Sequence, residues 1–397
     1  MKISTFRPFL LVLLSFWILS CGKTEVDPVN IYLVEAKEGG QFSKTELASQ
    51  LGTSLGASSS QVALFIRTGV KFYKITYKTK NTNGDQISAS GALILPTDLN
   101  QESLALASYQ HGTIFNETDA PSYFGLTTEF GIGAFLASTG YITCMPDYVG
   151  YGASKEQKHP YEHREGLAQP SVDFILAVKE FLTNQKVNWN NNLLLGGYSE
   201  GGYATMATFK MLEEKYKSEL NVKAVSSGAG AYNKTKTLES FLTEKTSGEA
   251  GNNRSYMWVL NTYDRIYKLN RPLSSYYVEP YLSQVTKDSY LANISKSFDE
   301  ILNPTFVKGL VQKTDTPFLN AVLDNDIYDW KPTAVLRLYH GTSDTYVPYL
   351  NSKTAYDAMI KRGAANVTLV PIDGGNHGSS ISTFLLGTLD LFNKYKN

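Results

Sequence analysis

Cysteine is scarce in this sequence: its 397 residues include two, Cys21 and Cys144. Once Cys21 is assigned to the N-terminal segment, Cys144 has no partner, which excludes a disulfide framework. Cys144 lies in the apolar run Tyr141-Ile142-Thr143-Cys144-Met145 and reads as a buried strand residue. A catalytic thiol needs a His-paired, partly exposed setting, and nothing nearby offers one. An excess of one charge is also missing. Lys+Arg and Asp+Glu both number 37, for a formal net charge of zero. No basic field is available to draw in a nucleic-acid backbone, so no nucleic-acid partner is expected. There is no phosphate-cradling Gly-rich loop with a lysine, and Asp324-Asn325-Asp326 lacks the glycine and the later glutamate of a calcium loop. His159 and His163 have the spacing of a helical metal pair, but Pro160 stands between them and no Asp, Glu or Cys completes the set. They read as loop or helix-start residues, and neither a metal nor a cofactor is expected.

A long hydrophobic run is absent too. At the N-terminus, Lys2 and Arg7 precede two short apolar stretches, Phe9 to Leu14 and Phe16 to Leu19. A membrane-spanning helix needs about 20 apolar residues, so this segment reads as an export signal. Ile18-Leu19-Ser20-Cys21 resembles a bacterial lipobox, with Ile where Leu is commoner. That resemblance implies cleavage before Cys21 and lipidation of its thiol. The expected domain plan is a lipoprotein-type signal over 1–21, a tether over 22–69 with one short helix near Lys44 to Leu51, and a catalytic domain over 70–397. Membrane contact is expected only through the anchor, in a bacterial cell envelope.

What is present from Val70 onward is alternation. Val70 to Tyr77 and Ile87 to Leu95 flank the turn Asn81-Thr82-Asn83-Gly84-Asp85 and form a β-hairpin. Short apolar strands follow at Leu104 to Tyr109, Tyr141 to Pro146, Asn192 to Gly196 and Val222 to Ser227. Between them lie helices at Phe130 to Thr139, Gln169 to Thr183 and Tyr203 to Tyr216. The pattern resumes with strands at Ala334 to Tyr339 and Val367 to Ile372 and helices at Asn351 to Arg362 and Ser380 to Tyr395. Short apolar strands alternating with helices predict an α/β fold, a mostly parallel sheet covered by helices on both faces. The gap, about 232–330, is helical and aromatic-rich and reads as an inserted helical cap over the carboxyl ends of the strands. Tyr256, Trp258, Tyr263, Tyr276 and Tyr277 are candidates to line an apolar site there, although aromatics at helical spacing are more often core.

Gly197-Tyr198-Ser199-Glu200-Gly201 falls between a strand and a helix, the setting of a nucleophile elbow. Glycines on either side let strand and helix approach closely, and the sharp turn lifts the Ser199 hydroxyl clear of the sheet. Two partners follow in the order acid, then histidine. Asp344 and His377 each occupy a loop just after a strand. His377 suits proton transfer from Ser199 and to the leaving group, and Asp344 suits fixing its tautomer. Asp344 taken alone could be a helix-capping turn residue, and His377 a solvated loop residue; the joint order favours the triad. Asp373 sits too near His377 in sequence, and Asp324 falls in the cap. The oxyanion needs two N–H donors. One is the backbone of Glu200, and the other comes from His111-Gly112-Thr113, with Thr113 favoured over Gly112. Asp147 is assigned a scaffolding turn.

These motifs carry a family resemblance. Tyr-Gln-His-Gly-Thr (109–113), Pro-Asp-Tyr-x-Gly-Tyr-Gly (146–152), Gly-Tyr-Ser-Glu-Gly-Gly (197–202), His-Gly-Thr-x-Asp-x-x-Val-Pro (340–348) and Gly-Gly-Asn-His (374–377) resemble the secretory lipases and related bacterial lipases and esterases, over residues 70 to the C-terminus. The resemblance implies the α/β-hydrolase fold and cofactor-free cleavage of a small-molecule carboxylic ester through an acyl-enzyme. It implies Ser199, Asp344 and His377 as the triad. Glu200 departs from the usual Gln or Gly, and its extra carboxylate is expected to shift His377 or to discourage acidic substrates. Two other readings stand beside this one: a serine peptidase of the prolyl-oligopeptidase type, for which residues 22–69 are too few to build the usual propeller, and an inert binding lipoprotein.

Overall fold

The computed structural model describes residues 1, 30–55, 63–99, 102–127 and 129–397. The signal reading for 2–21, including Cys21, lies outside the described residues.

One sheet of nine strands organises the chain: β1 (Leu33–Phe42), β2 (Val70–Lys80), β3 (Gln86–Pro96), β4 (Leu104–Gln110), β5 (Ile142–Pro146), β6 (Trp189–Tyr198), β7 (Asn221–Gly228), β8 (Val335–Gly341) and β9 (Val367–Ile372), in the order β1-β2-β3-β5-β4-β6-β7-β8-β9. Strands β5, β4, β6, β7, β8 and β9 run parallel, while β1, β2 and β3 add an antiparallel edge joined to β5. The parallel strands are apolar on successive residues because both faces are covered. Leu193 and Leu195 of β6 face one cluster, with residues of α3 (Arg164–Asn184) and α4 (Glu200–Lys215). Leu194 faces the other, with Leu391 and Phe392 of α12 (Ile381–Tyr395). Helices α1 (Lys44–Leu55) and α2 (Glu129–Ser138) lie over the antiparallel edge, and α11 (Leu350–Lys361) lies beside β9.

Two local readings change. Residues 33–55 are not tether: β1 pairs with β2 along its length, and Leu47, Ala48 and Leu51 of α1 are buried. The Glu180 carboxylate fastens the entry to this segment, accepting from the backbone N–H groups of Ile31, Tyr32 and Leu33. The strand Leu33–Phe42 is mostly exposed, so it shows no apolar alternation from which a strand could be read. Helix α3 begins at Arg164, well before Gln169, with the His163 ring as N-cap accepting from the Gly166 N–H at 3.0 Å. Pro170, a residue that favours the first turn, lies inside it.

Between β7 and β8 the described chain is helical: α5 (Lys234–Thr243), α6 (Ala250–Ile266), α7 (Tyr281–Asp288), α8 (Phe298–Ile301), α9 (Pro304–Val311) and α10 (Thr316–Asp324). These helices share an apolar cluster that includes Met257, Leu260, Tyr276, Tyr277, Phe298 and Phe318. Among the described residues no helix is long and apolar enough to cross a membrane.

Candidate active site

Ser199 stands at the turn from β6 into α4 with φ 60 and ψ −123. This left-handed backbone is unusual for serine and persists because its surroundings fix it. Its N–H donates to the Gly228 carbonyl at 2.9 Å and its carbonyl accepts from the Tyr203 N–H at 3.0 Å. The flanking glycines are sterically required: a Cβ on Gly197 would stand 2.4 Å from the Gly201 carbonyl oxygen, and one on Gly201 would stand 2.1 Å from that of Gln110.

His377, in the loop between β9 and α12, links two groups. Its Nε2 is 2.9 Å from Ser199 Oγ and its Nδ1 is 2.6 Å from Asp344 Oδ2. Tyr198 donates its hydroxyl to the His377 carbonyl at 2.7 Å, and the Tyr346 ring meets the imidazole edge-on at 4.7 Å. Asp344, in the loop after β8, has a fully buried side chain. Its Oδ1 accepts from the N–H groups of Tyr346 and Val347 at 2.9 and 3.0 Å. Burial opposes its charge, but hydrogen bonds from His340 and His377, and their positive ends, outweigh that and hold its pKa down at about 2. Neither alternative acid takes this place. Asp373 is exposed, and Asp324 bonds to Arg164 and to the Tyr267 hydroxyl.

The expected oxyanion donors, Glu200, Gly112 and Thr113, lie around Ser199. Glu200 is the first residue of α4, so its N–H has no partner within the helix. Gly112 lies against the Glu129 carboxylate, whose Oε1 would stand 3.3 Å from a Cβ placed there. The next residue, Thr113, bonds through Oγ1 to the Tyr161 hydroxyl at 2.9 Å. Two cavities meet at Ser199. An inner one lies under the cap, lined by Phe241, Tyr256, Leu260, Tyr263 and Phe318 among others; an outer one is lined by Thr113, Phe115, Asn252, His377 and Ile381. Of the cap aromatics, Tyr256 and Tyr263 line the inner cavity. Tyr276 and Tyr277 are core of the cap, and Trp258 is stacked between Tyr161 and Tyr290.

The family model for secretory lipases matches residues 127–384. The chain belongs to the secretory lipase family. It is a carboxylic-ester hydrolase of the α/β-hydrolase fold, and an exported one. A secreted triacylglycerol lipase of Malassezia globosa, LIP3, is 25% identical over 342 residues, 80% of this chain and 71% of the relative. A Legionella pneumophila crystal structure described as a hydrolase superposes with a TM-score of 0.81 at 26% identity, over 91% of this chain and 98% of its own. The rice cell wall degrading esterase LipA of Xanthomonas oryzae has a TM-score of 0.75 at 23% identity, covering 91% and 98%, and shows the shared fold.

Two buried pairs beside Ser199 escaped the sequence. The Glu200 carboxylate, expected to disturb His377 or repel acidic substrates, is not among the residues that line either cavity. It is 2% exposed and lies 2.7 Å from His159 Nε2, while His159 Nδ1 lies 2.8 Å from the Val149 carbonyl. His159 is thus a partner of the residue following the serine. The second pair, Glu162 with Lys234, lines the inner cavity. The members of these pairs are 41 and 72 residues apart, beyond any local pattern. His159→Leu would strand the Glu200 carboxylate in the core. Denaturant unfolding is expected to show a loss of roughly 3–5 kcal/mol; a change below about 1 kcal/mol would mean the pair contributes little.

Proposed function

We propose that Ser199, His377 and Asp344 form the catalytic triad of a two-step ester hydrolysis. Ser199 Oγ attacks the ester carbonyl carbon while His377 Nε2 takes its proton. The N–H groups of Glu200 and Thr113 receive the negative charge that develops on the carbonyl oxygen, each donor supplying roughly 3–4 kcal/mol of transition-state stabilisation. His377 then returns the proton to the departing alkoxide and an acyl group stays on Ser199. A water molecule, deprotonated by His377, releases the acid and restores the serine. Asp344 keeps the Nδ1 proton in place throughout and stabilises the imidazolium.

The observation that carries this reading is His377 bridging Ser199 and Asp344 through opposite ring nitrogens. The apolar cavity under the cap suits the acyl group, and the more open one suits the alcohol. The named activities of the relatives, on triacylglycerol and on plant cell wall, agree with ester cleavage. A stopped-flow trace with a p-nitrophenyl ester is expected to show a nitrophenolate burst of about one equivalent per enzyme, the mark of an accumulating acyl-enzyme when deacylation is the slower step. Turnover of an aminoacyl amide with no ester cleavage would instead favour a peptidase. For localisation, the reading is a lipid anchor on Cys21 in a bacterial envelope. Cys21→Ser is expected to move the protein from the membrane fraction to the soluble one; an unchanged distribution would contradict the anchor.

A further inference from the structure

The inner cavity contains a charged pair that the hydrolysis scheme does not use. Leu238, Phe241, Val259, Leu260, Phe298 and Phe318 make much of its wall apolar, yet Glu162 and Lys234 line it together with Ser199. The two side chains bond to each other and are 10% and 5% exposed. They come from opposite sides of the site. Glu162 lies in the loop before α3, and Lys234 is the first residue of α5 in the cap. Glu162 is held in a left-handed backbone, φ 49, with its carbonyl accepting from the Tyr263 hydroxyl at 3.1 Å. A non-glycine residue seldom adopts that conformation, and such strain clusters at functional sites. The Lys234 ammonium lies 4.5 Å from the centre of the Tyr203 ring, which cradles it from another side.

Burial drives the Glu162 carboxyl up and the Lys234 ammonium down, and their mutual attraction opposes both shifts. A fastening between cap and core would not need this chemistry, since apolar residues of similar size hold buried contacts at least as well. Nor would a pocket meant only for alkyl chains. An alkyl group pressed against the pair would remove water and offer no hydrogen bond in return. A carboxylate has more acceptor positions, and an ammonium more donors, than their mutual contact fills.

We propose that the Glu162–Lys234 pair is a specificity element that selects esters whose acyl group carries a hydroxyl, the hydroxyl donating to Glu162 or accepting from Lys234. This rests on the assignment of Ser199 as nucleophile and of the inner cavity as its acyl site. A site built to hydrogen-bond a hydroxyl rejects the analogue that lacks it more strongly than an apolar pocket rejects an added one.

The test compares kcat/KM for p-nitrophenyl hexanoate with that for the same ester hydroxylated at the second, third or terminal carbon of the acyl chain. At least one hydroxylated ester is expected to exceed the plain one by about 10-fold or more, the scale of a charge-assisted hydrogen bond. In the double variant Glu162→Leu with Lys234→Met, whose folding is checked by thermal unfolding, the ratio is expected to fall to about one. Plain hexanoate equal to or better than every hydroxylated ester with the natural enzyme would overturn the proposal, and that comparison needs no variant. Preference surviving in a folded double variant would overturn it too. If the esters turn over, Ser199→Ala abolishes turnover and no preference is seen, this inference alone fails. If none turns over, the assignment of Ser199 fails and takes this inference with it.

Discussion

Ser199→Ala is expected to lower kcat on a p-nitrophenyl ester by roughly 10⁴–10⁶-fold while leaving the thermal unfolding midpoint nearly unchanged. The hydroxyl's hydrogen bond in the fold is to His377 Nε2, at the surface between the two cavities. Alanine keeps the Cβ and the backbone hydrogen bonds to Gly228 and from Tyr203, so the elbow stays closed. The residual rate would come from the two N–H donors and from substrate placement. A fall of less than about 10²-fold would mean that another group attacks the ester.

Asp344→Asn is expected to cost roughly 10³–10⁴-fold in kcat with little change in KM. Asparagine preserves the shape but can present an N–H₂ to His377 Nδ1. The imidazole then carries its proton on Nε2, where it faces Ser199 and cannot accept the hydroxyl proton. His340 Nε2, 3.4 Å from the same Oδ2, is the second group that prefers a carboxylate there. The substitution also has a signature in acid. The folded carboxylate ionises at about 2, below its usual 3.8. A depressed value means that ionisation stabilises the fold above the unfolded pKa and that this contribution disappears as pH falls through the folded one. The contribution is about 2 kcal/mol. The stability of the natural protein relative to Asp344→Asn is therefore expected to shrink by that amount between about pH 5 and pH 2, measured by denaturant unfolding. A constant difference across that range would contradict the assigned environment of Asp344.

The parts of the site that could be read from the sequence are those with a local signature. The elbow glycines are required by contacts within a few residues, or by the adjacent strand end at Gln110. Asp344 and His377 follow apolar strands, so their loops could be placed without knowing the fold in detail. Asp147 reads as scaffold and serves as one, accepting from Ser90 Oγ at 2.6 Å and from the Ser122 N–H at 2.8 Å. What could not be read depends on distant partners. Strand β1 carries Glu35, Lys37, Glu38 and Gln41 at an exposed sheet edge, where neither face imposes a hydrophobic period. Nothing near Gly112 in the sequence announces the Glu129 carboxylate that α2 brings against it. Glu200 looked like an intruding charge until His159 was found beside it, and in the cap the helical period marks helices without saying which aromatic turns inward. Tyr256 and Tyr263 of α6 reach the cavity, while Tyr276, beyond the end of that helix, packs against Phe306 and Phe318.

The central claim is that the acyl group passes through Ser199 Oγ. It is tested most directly by mass spectrometry of the protein after reaction with a p-nitrophenyl phosphonate, a mimic of the attacked ester. The account expects one equivalent of adduct, located by peptide mapping on Ser199, with esterase activity lost in proportion and no labelling of Ser199→Ala. Labelling of a different residue with full loss of activity, or full labelling of Ser199 with activity retained, would contradict it.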